Sequence, residues 1–341
     1  MAVPLFNNIE TSCTSSQSPE TLIYNGFDKK ISKNLYTLVE SDFAKYKKLS
    51  EEVSESLRLF SKNDKLVEKG RVMQSCGFSL DFYDDRLVKS EFCRIRLCPM
   101  CQRRRALKTY SDISKIVNLL PGYVFLHLVL TVPNCSSDDL LSTIDFMNRC
   151  SSKFFSLEPI KKSFKGVIRC LEVSYNSERK DFHPHFHCLI AVRKSYFKSR
   201  DYVKYETIQF LWSVLWKYRD FNLRSSKFTL EYILSRQLSI FDYLQVYISR
   251  ADEGSLPEIA KYCVKPLEFD SSLSERARVL DVLYSVLNGR RLIFYSGVFK
   301  VASYQVRNFG SDRDFPDIND DEIITMYWNY YNQCYEVDSD G

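Results

Sequence analysis

The sequence predicts an α+β fold with a central antiparallel sheet and flanking helices. Three observations lead there. Tyr123–Val132 is a long apolar, β-branched run that ends at Pro133-Asn134. Val167–Tyr175 and His185–Val192 are two further strand-like runs around a polar turn, Asn176 to Asp181. Between and around them lie segments with apolar residues at three- and four-residue steps.

In chain order, residues 1–30 are polar and rich in Ser and Thr and read as disordered. Asn34–Phe60 has helical spacing through Leu35, Leu38, Val39, Phe43, Tyr46 and Leu49. Residues 71–105 hold a cysteine cluster in short, irregular segments. After the Tyr123 strand, Ser137-Asp138-Asp139 caps a helix carrying Leu140, Leu141, Ile144 and Met147. A helix through Phe210–Leu215 follows the hairpin, then a strand-like stretch, Phe241–Ser249, and a short helix from about Leu256 to Val264. Val279–Leu287 and Leu292–Val298 add helix and strand. The chain divides into a helical and cysteine-rich region (31–110), a core (111–270), an extension of the body (271–310) and an acidic tail (311–341).

The net charge of +5 hides a division. Residues 312–341 carry nine acidic side chains and one basic, Arg313, which leaves +13 for the rest. A basic body with an acidic tail suits a polyanionic partner. The longest apolar run is too short to cross a bilayer and contains His127. With no secretory signal at the start, the expectation is a cytoplasmic protein with no membrane partner.

Three of the four histidines lie in His183-Pro184-His185-Phe186-His187. Residues two apart on a strand share a face, so His185 and His187 make a bidentate metal seat. A symmetric hairpin that pairs Ser174 with His185 puts Glu172 opposite His187, as a third ligand. The alternative is a histidine-rich strand surface. His127, inside an apolar strand, reads as a packed or ligand-supporting group.

Of eleven cysteines, Cys76, Cys93, Cys98 and Cys101 fall within 26 residues. Cys98-x2-Cys101 is a zinc-knuckle spacing, and four thiolates make a closed structural zinc site. Reduced, buried cysteines are the alternative. Arg103, Arg104, Arg105 and Lys108 follow directly, as a candidate phosphate-contact element. Two further basic groups are Lys161, Lys162 and Lys165, and Arg193, Lys194, Lys198 and Arg200. The latter is interleaved with Tyr196 and Phe197, as stacking on unpaired bases requires. Glu258 and Tyr262 are four apart, on one helical face, with Lys261 and Lys265 on an adjacent one. A tyrosine phenol is a workable nucleophile toward phosphorus, and a carboxylate one turn away can orient a water.

The strand Phe125-Leu-His-Leu-Val-Leu-Thr-Val-Pro-Asn134, then His-Pro-His-Phe-His, then Pro257-Glu-Ile-Ala-Lys-Tyr-Cys-Val-Lys265 occur in that order. The combination resembles the replication-initiation (Rep) proteins of small rolling-circle bacterial plasmids, a branch of the HUH endonucleases, from about Cys76 to about Val301. Cys93-x4-Cys98-Pro-x-Cys101-x-x-Arg104 is similar to their cysteine-rich segment.

The resemblance implies an HUH nuclease core and a site-specific, metal-dependent endonuclease and strand transferase acting on single-stranded DNA. His185 and His187 correspond to its metal-binding histidines, with Glu172 the counterpart of a third ligand, and Mg²⁺ or Mn²⁺ as the working ion. Tyr262 corresponds to the nucleophile that stays joined to the 5′-phosphate, and Glu258 to the residue that activates water to end the round. One departure is His127, where a threonine is common. Origin DNA is the implied partner; host helicase and polymerase and a second copy of the chain are further candidates. Competing readings are an HUH transposase or mobilisation nickase, a non-catalytic zinc-dependent DNA-binding regulator, and a metal-dependent hydrolase without a covalent intermediate.

Overall fold

The computed structural model describes residues 33–218, 229–235, 243–251, 272–309 and 323–337. The expected disorder of residues 1–30 and the helix around Leu256–Val264 lie outside the described residues.

The fold is α+β, with two antiparallel sheets. The larger has five strands in the order β6-β3-β5-β4-β7. These are β3 (Tyr123–Thr131), β4 (Gly166–Asn176), β5 (Asp181–Arg193), β6 (Val246–Arg250) and β7 (Ile293–Gly297). The smaller has four, β2-β1-β8-β9, formed by β1 (Ser79–Tyr83), β2 (Arg86–Ser90), β8 (Ile324–Asn329) and β9 (Cys334–Val337).

Side-chain alternation separates the two faces of the large sheet. One face carries Leu126, Leu128, Leu130, Val167, Leu171, Phe186, Cys188 and Ile190, all buried. Onto it pack α5 (Leu140–Phe154), α7 (Tyr205–Lys217) and α9 (Leu273–Leu287). Trp212 of α7 is fully buried and donates its indole N–H to Thr131 O at 2.7 Å, which anchors the helix to β3. The Ser272-x-x-Glu275 start of α9 caps its own first turn, Ser272 Oγ accepting from Glu275 N at 3.2 Å. Glu275 in turn accepts from the Tyr175 hydroxyl at 2.8 Å, fixing α9 to the end of β4.

Among the described residues, the opposite face is covered over only part of its length. Ile168, Leu189 and Ala191 meet Ile113 and Ile116 of α4 (Pro99–Asn118) and Phe299 and Ala302 of α10 (Val298–Phe309). The other end of this face carries the polar cluster described below. α4 runs across residue 110, and one core joins Val53, Leu57 and the cysteines to the sheet residues.

The N-terminal helical segment is interrupted. Between α1 (Lys33–Leu38) and α2 (Lys45–Phe60), Val39–Ala44 is π-helical. The wider turn shifts the phase of the buried stripe. Leu35, Val39 and Ala44 pack on the small sheet, whereas Val53 and Leu57 face the main core. α3 (Asp64–Gln74) packs beside α2 and is capped by Asn63.

Two segments depart from expectation. Part of the 71–105 region, read as irregular, forms the β1–β2 hairpin with Asp84 and Asp85 at positive φ in the turn. Within the acidic segment, β8 pairs with β1 and β9 pairs with β8, and Met326, Trp328 and Tyr335 are buried against Leu35, Leu80 and Phe82. All of the acidic residues but Glu336 precede or follow this apolar hairpin, so net charge masked it. Among the described residues no helix is long and apolar enough to cross a membrane.

Gly297 ends β7 at φ +55, and a Cβ there would stand 2.1 Å from Lys165 O. Gly297→Ala is therefore expected to destabilise the protein by about 2 kcal/mol or more, read as a lower urea midpoint.

Candidate metal centres

The central hairpin pairs Glu172 with His185, Ser174 with His183 and Cys170 with His187. The expected pairing, Ser174 with His185, is two residues out of register. The turn is tighter than a symmetric closure assumes: Asn176 pairs with Asp181, Asn176 Oδ1 accepts from Arg179 N at 2.8 Å, and Lys180 takes positive φ. A two-residue slip keeps every side chain on its own face, so Glu172 still meets both histidines.

Glu172, His185 and His187 offer one ligand atom each, all within 4.8 Å of one another. Glu172 Oε2 lies 3.0 Å from His187 Nε2 and 3.6 Å from His185 Nε2, and the two Nε2 atoms are 3.1 Å apart. An ion with ligands at about 2.1 Å in octahedral geometry has adjacent ligands roughly 3.0 Å apart, so the set fits one shared cation and leaves directions open. The carboxylate is buried and the histidine side chains are nearly so. Burial pushes the Glu172 carboxyl up, but hydrogen bonds and charge from His185 and His187 outweigh it and hold the group well below the usual carboxylate range.

Each imidazole is oriented from behind. His185 Nδ1 donates to His183 O at 3.2 Å, which leaves Nε2 as its acceptor atom. His187 Nδ1 lies 3.2 Å from His127 Nε2, with the rings stacked at 5.5 Å. With His187 Nε2 turned to a cation, its proton sits on Nδ1 and His127 accepts it. His183 is held in turn by Asn134 Oδ1 at 2.7 Å, and Asn134 donates to Asp181 at 2.9 Å. The histidine that departs from the family pattern thus touches a candidate ligand directly.

The second cluster unites all four expected cysteines, Cys76, Cys93, Cys98 and Cys101. Cys76 Sγ is 3.7 Å from Cys101 and 3.5 Å from Cys98, and Cys93 Sγ is 3.6 Å from Cys101. A zinc ion with Zn–S near 2.3 Å in tetrahedral geometry requires S···S of roughly 3.8 Å, so the four sulfurs fit such an ion. The β1–β2 hairpin brings Cys76 and Cys93 together, with Gly77 N donating to Glu91 O at 2.8 Å. Cys98 stands at the N-cap position of α4 and Cys101 in its first turn, where free N–H groups favour thiolates. Hydrogen bonds from Cys101, Cys76 and Cys93 hold the Cys98 thiol below its ordinary range.

Sequence reasoning missed Lys47. Its side chain is fully buried and donates to Gln74 O at 2.7 Å and Cys76 O at 3.1 Å. Burial lowers its pKa, while Glu51 and the nearby cysteines favour its charged form. It occupies the inward face of α2 with Ser50 and Ser54, a polar stripe on a buried helix side that was legible as an anomaly.

The expected DNA contacts fare unevenly. Arg103 is paired with Asp42 at 2.7 Å, Arg104 covers the Phe92 ring at 4.4 Å, and Arg105 donates to Arg94 O. Arg104 and Arg105 brace the cysteine loop, Arg103 ties α4 to the π-helical segment, and Lys108 is exposed. Tyr196, expected to interleave as a stacking ring, is buried with its hydroxyl donating to Val203 O at 3.2 Å, whereas Phe197 is exposed. Tyr262, Glu258, Lys261 and Lys265 lie outside the described residues.

Removing the acceptor behind His187 should loosen the Glu172/His185/His187 centre. His127→Leu is expected to weaken Mn²⁺ binding by about ten-fold or more, and His127→Gln, which keeps an acceptor, by less, in a Mn²⁺ titration.

The replication-protein family model matches residues 84–333, a span that holds the Glu172/His185/His187 cluster and three of the four cysteines. The "Protein rep" of Streptococcus pneumoniae serotype 2 (strain D39 / NCTC 7466) is 30% identical over 315 residues, covering 86% of this chain and 91% of that relative. The "Protein rep" of Bacillus amyloliquefaciens is 30% identical over 292 residues, covering 77% and 83%. No solved structure matches the chain. The histidine strand, the strand that supports it and the length of the match agree: this chain belongs to the replication-protein (Rep) family of rolling-circle plasmid replication initiators.

Proposed function

We propose that this Rep protein starts replication as a site-specific endonuclease and strand transferase on its plasmid origin, single-stranded at the nick. The observation that carries the reading is the Glu172/His185/His187 cluster, three ligand atoms aimed at one point on an otherwise packed sheet. Glu172, His185 and His187 would hold a divalent ion, Mg²⁺ or Mn²⁺, suited to hard phosphate oxygens, which would supply positive charge beside the scissile phosphate. His127 and the His183 carbonyl keep both imidazoles pointed inward.

Tyr262 supplies the nucleophile, on the strength of the Pro257–Lys265 motif. Its phenolic oxygen bonds to phosphorus as the bond from phosphorus to the 3′-oxygen breaks. The phenolic proton passes to solvent, and the departing 3′-oxygen takes one up. The 5′-phosphate remains esterified to the tyrosine, so the strand can be rejoined without ATP. Glu258, four residues earlier, activates the water that ends the round, and Lys261 and Lys265 neutralise flanking phosphates.

The four cysteines hold a structural zinc in this reading, with the Lys47 ammonium offsetting part of the charge of four thiolates. A zinc-dependent DNA-binding regulator without catalysis leaves the Glu172/His185/His187 cluster unexplained.

With Mn²⁺ and an oligonucleotide carrying the origin's nick sequence, wild type is expected to yield a protein–DNA adduct that survives denaturant, and Tyr262→Phe none. An undiminished adduct in Tyr262→Phe would remove Tyr262 as the nucleophile. Separately, Cys98→Ser is expected to lower zinc below one per chain in elemental analysis and to lower the melting temperature. Unchanged zinc and stability would sink the structural-zinc role.

A further inference from the structure

Tyr247 stands on β6, an edge strand, opposite Val129, and Val129 stands opposite His187. The three residues form one cross-strand row on the face that carries the candidate metal centre. Neighbouring strands are about 4.8 Å apart, so Tyr247 lies two spacings, roughly 10 Å, from His187 along the sheet surface. Its ring meets the His127 ring edge-to-face at 6.0 Å, yet the side chain is 56% exposed. Exposed edge positions ordinarily carry charged residues that block pairing with other chains. Here the position carries a ring, steadied on one side by His127 and more than half exposed among the described residues. Tyr243, in the segment leading into β6, is a second exposed ring at 49%.

We infer that Tyr247 is a nucleobase subsite: it stacks on an unpaired base of the DNA strand that runs past the candidate metal centre of Glu172, His185 and His187. The inference rests on the proposed cutting of single-stranded DNA at that centre. An aromatic face suits any base, because every base has a π-face, and it engages only a base freed from its duplex partner. The ring therefore holds the strand beside that centre and favours melted over paired DNA. Contact with His127 links this subsite to the residue that orients His187, so strand binding and ligand orientation share one side chain.

The test uses the full-length protein and a fluorescein-labelled oligodeoxythymidylate, without added divalent ion, in an anisotropy titration. Tyr247→Ala is expected to weaken binding by about ten-fold, within the range measured for loss of one base–aromatic stack. Tyr247→Phe should bind as wild type, and Tyr247→Trp should bind as tightly with its introduced indole fluorescence quenched by the oligonucleotide. Mn²⁺ binding by Tyr247→Ala should match wild type, which excludes a collapsed metal centre. Wild-type affinity in Tyr247→Ala would overturn the subsite, as would a loss in Tyr247→Phe equal to that in Tyr247→Ala. Because no adduct is formed in this assay, its result is independent of Tyr262. Failure of the Tyr262 adduct test would leave the stacking result standing, and failure of stacking would leave the nuclease reading standing.

Discussion

The alternation of side chains along the β4–β5 hairpin is the constraint on which the rest depends. One set of positions, with Leu171, Phe186, Cys188 and Ile190, is committed to the main core. The intervening set carries Glu172, His185 and His187. Sheet geometry ties the two commitments together: a one-residue slip would expose the apolar set and bury the polar one. Burial of the core face thus holds the candidate ligands in place without a dedicated scaffold. A two-residue slip is the smallest error that keeps both faces intact, which is the difference between the symmetric hairpin and the observed one.

The second consequence concerns the face opposite the core. Its far end is sealed by α4 and α10 through Ile113, Ile116, Phe299 and Ala302. The near end has no such cover among the described residues, and there the histidines meet a surface with Tyr247 at its edge. The partial cover seen among the described residues still buries enough of Glu172 to strengthen its interaction with the imidazoles. α4 connects this arrangement to the cysteine cluster, because its first turn carries Cys101 and its last turns pack on the sheet.

Around the cysteines, distant parts of the chain converge. Lys47 of α2 reaches the carbonyls of Gln74 and Cys76. Tyr335 of β9 donates to Gly77 O at 2.5 Å, and Trp328 N of β8 donates to Phe78 O at 2.8 Å. The C-terminal hairpin is therefore a structural part of the cysteine-rich region. A buried ammonium beside four sulfurs is costly alone, and it is consistent with a site that carries negative charge when loaded.

The sequence by itself determined the fold class, the three central strands, the common face of His185 and His187, and the grouping of the four cysteines. These depend on local periodicity and spacing, which are properties of a few adjacent residues. Tertiary structure alone decided the β4–β5 register, because turn geometry at Asn176 and Lys180 sets it. It decided the contact of His127 with His187, two strands that meet only by pairing, and the place of Tyr247 in the same row. It also decided the burial of Lys47 and the pairing of β8 with β1, partners nearly 250 residues apart that no local pattern connects. The physical reason is common to all of these: periodicity says which way a side chain points, and only the packed chain says what stands there to meet it.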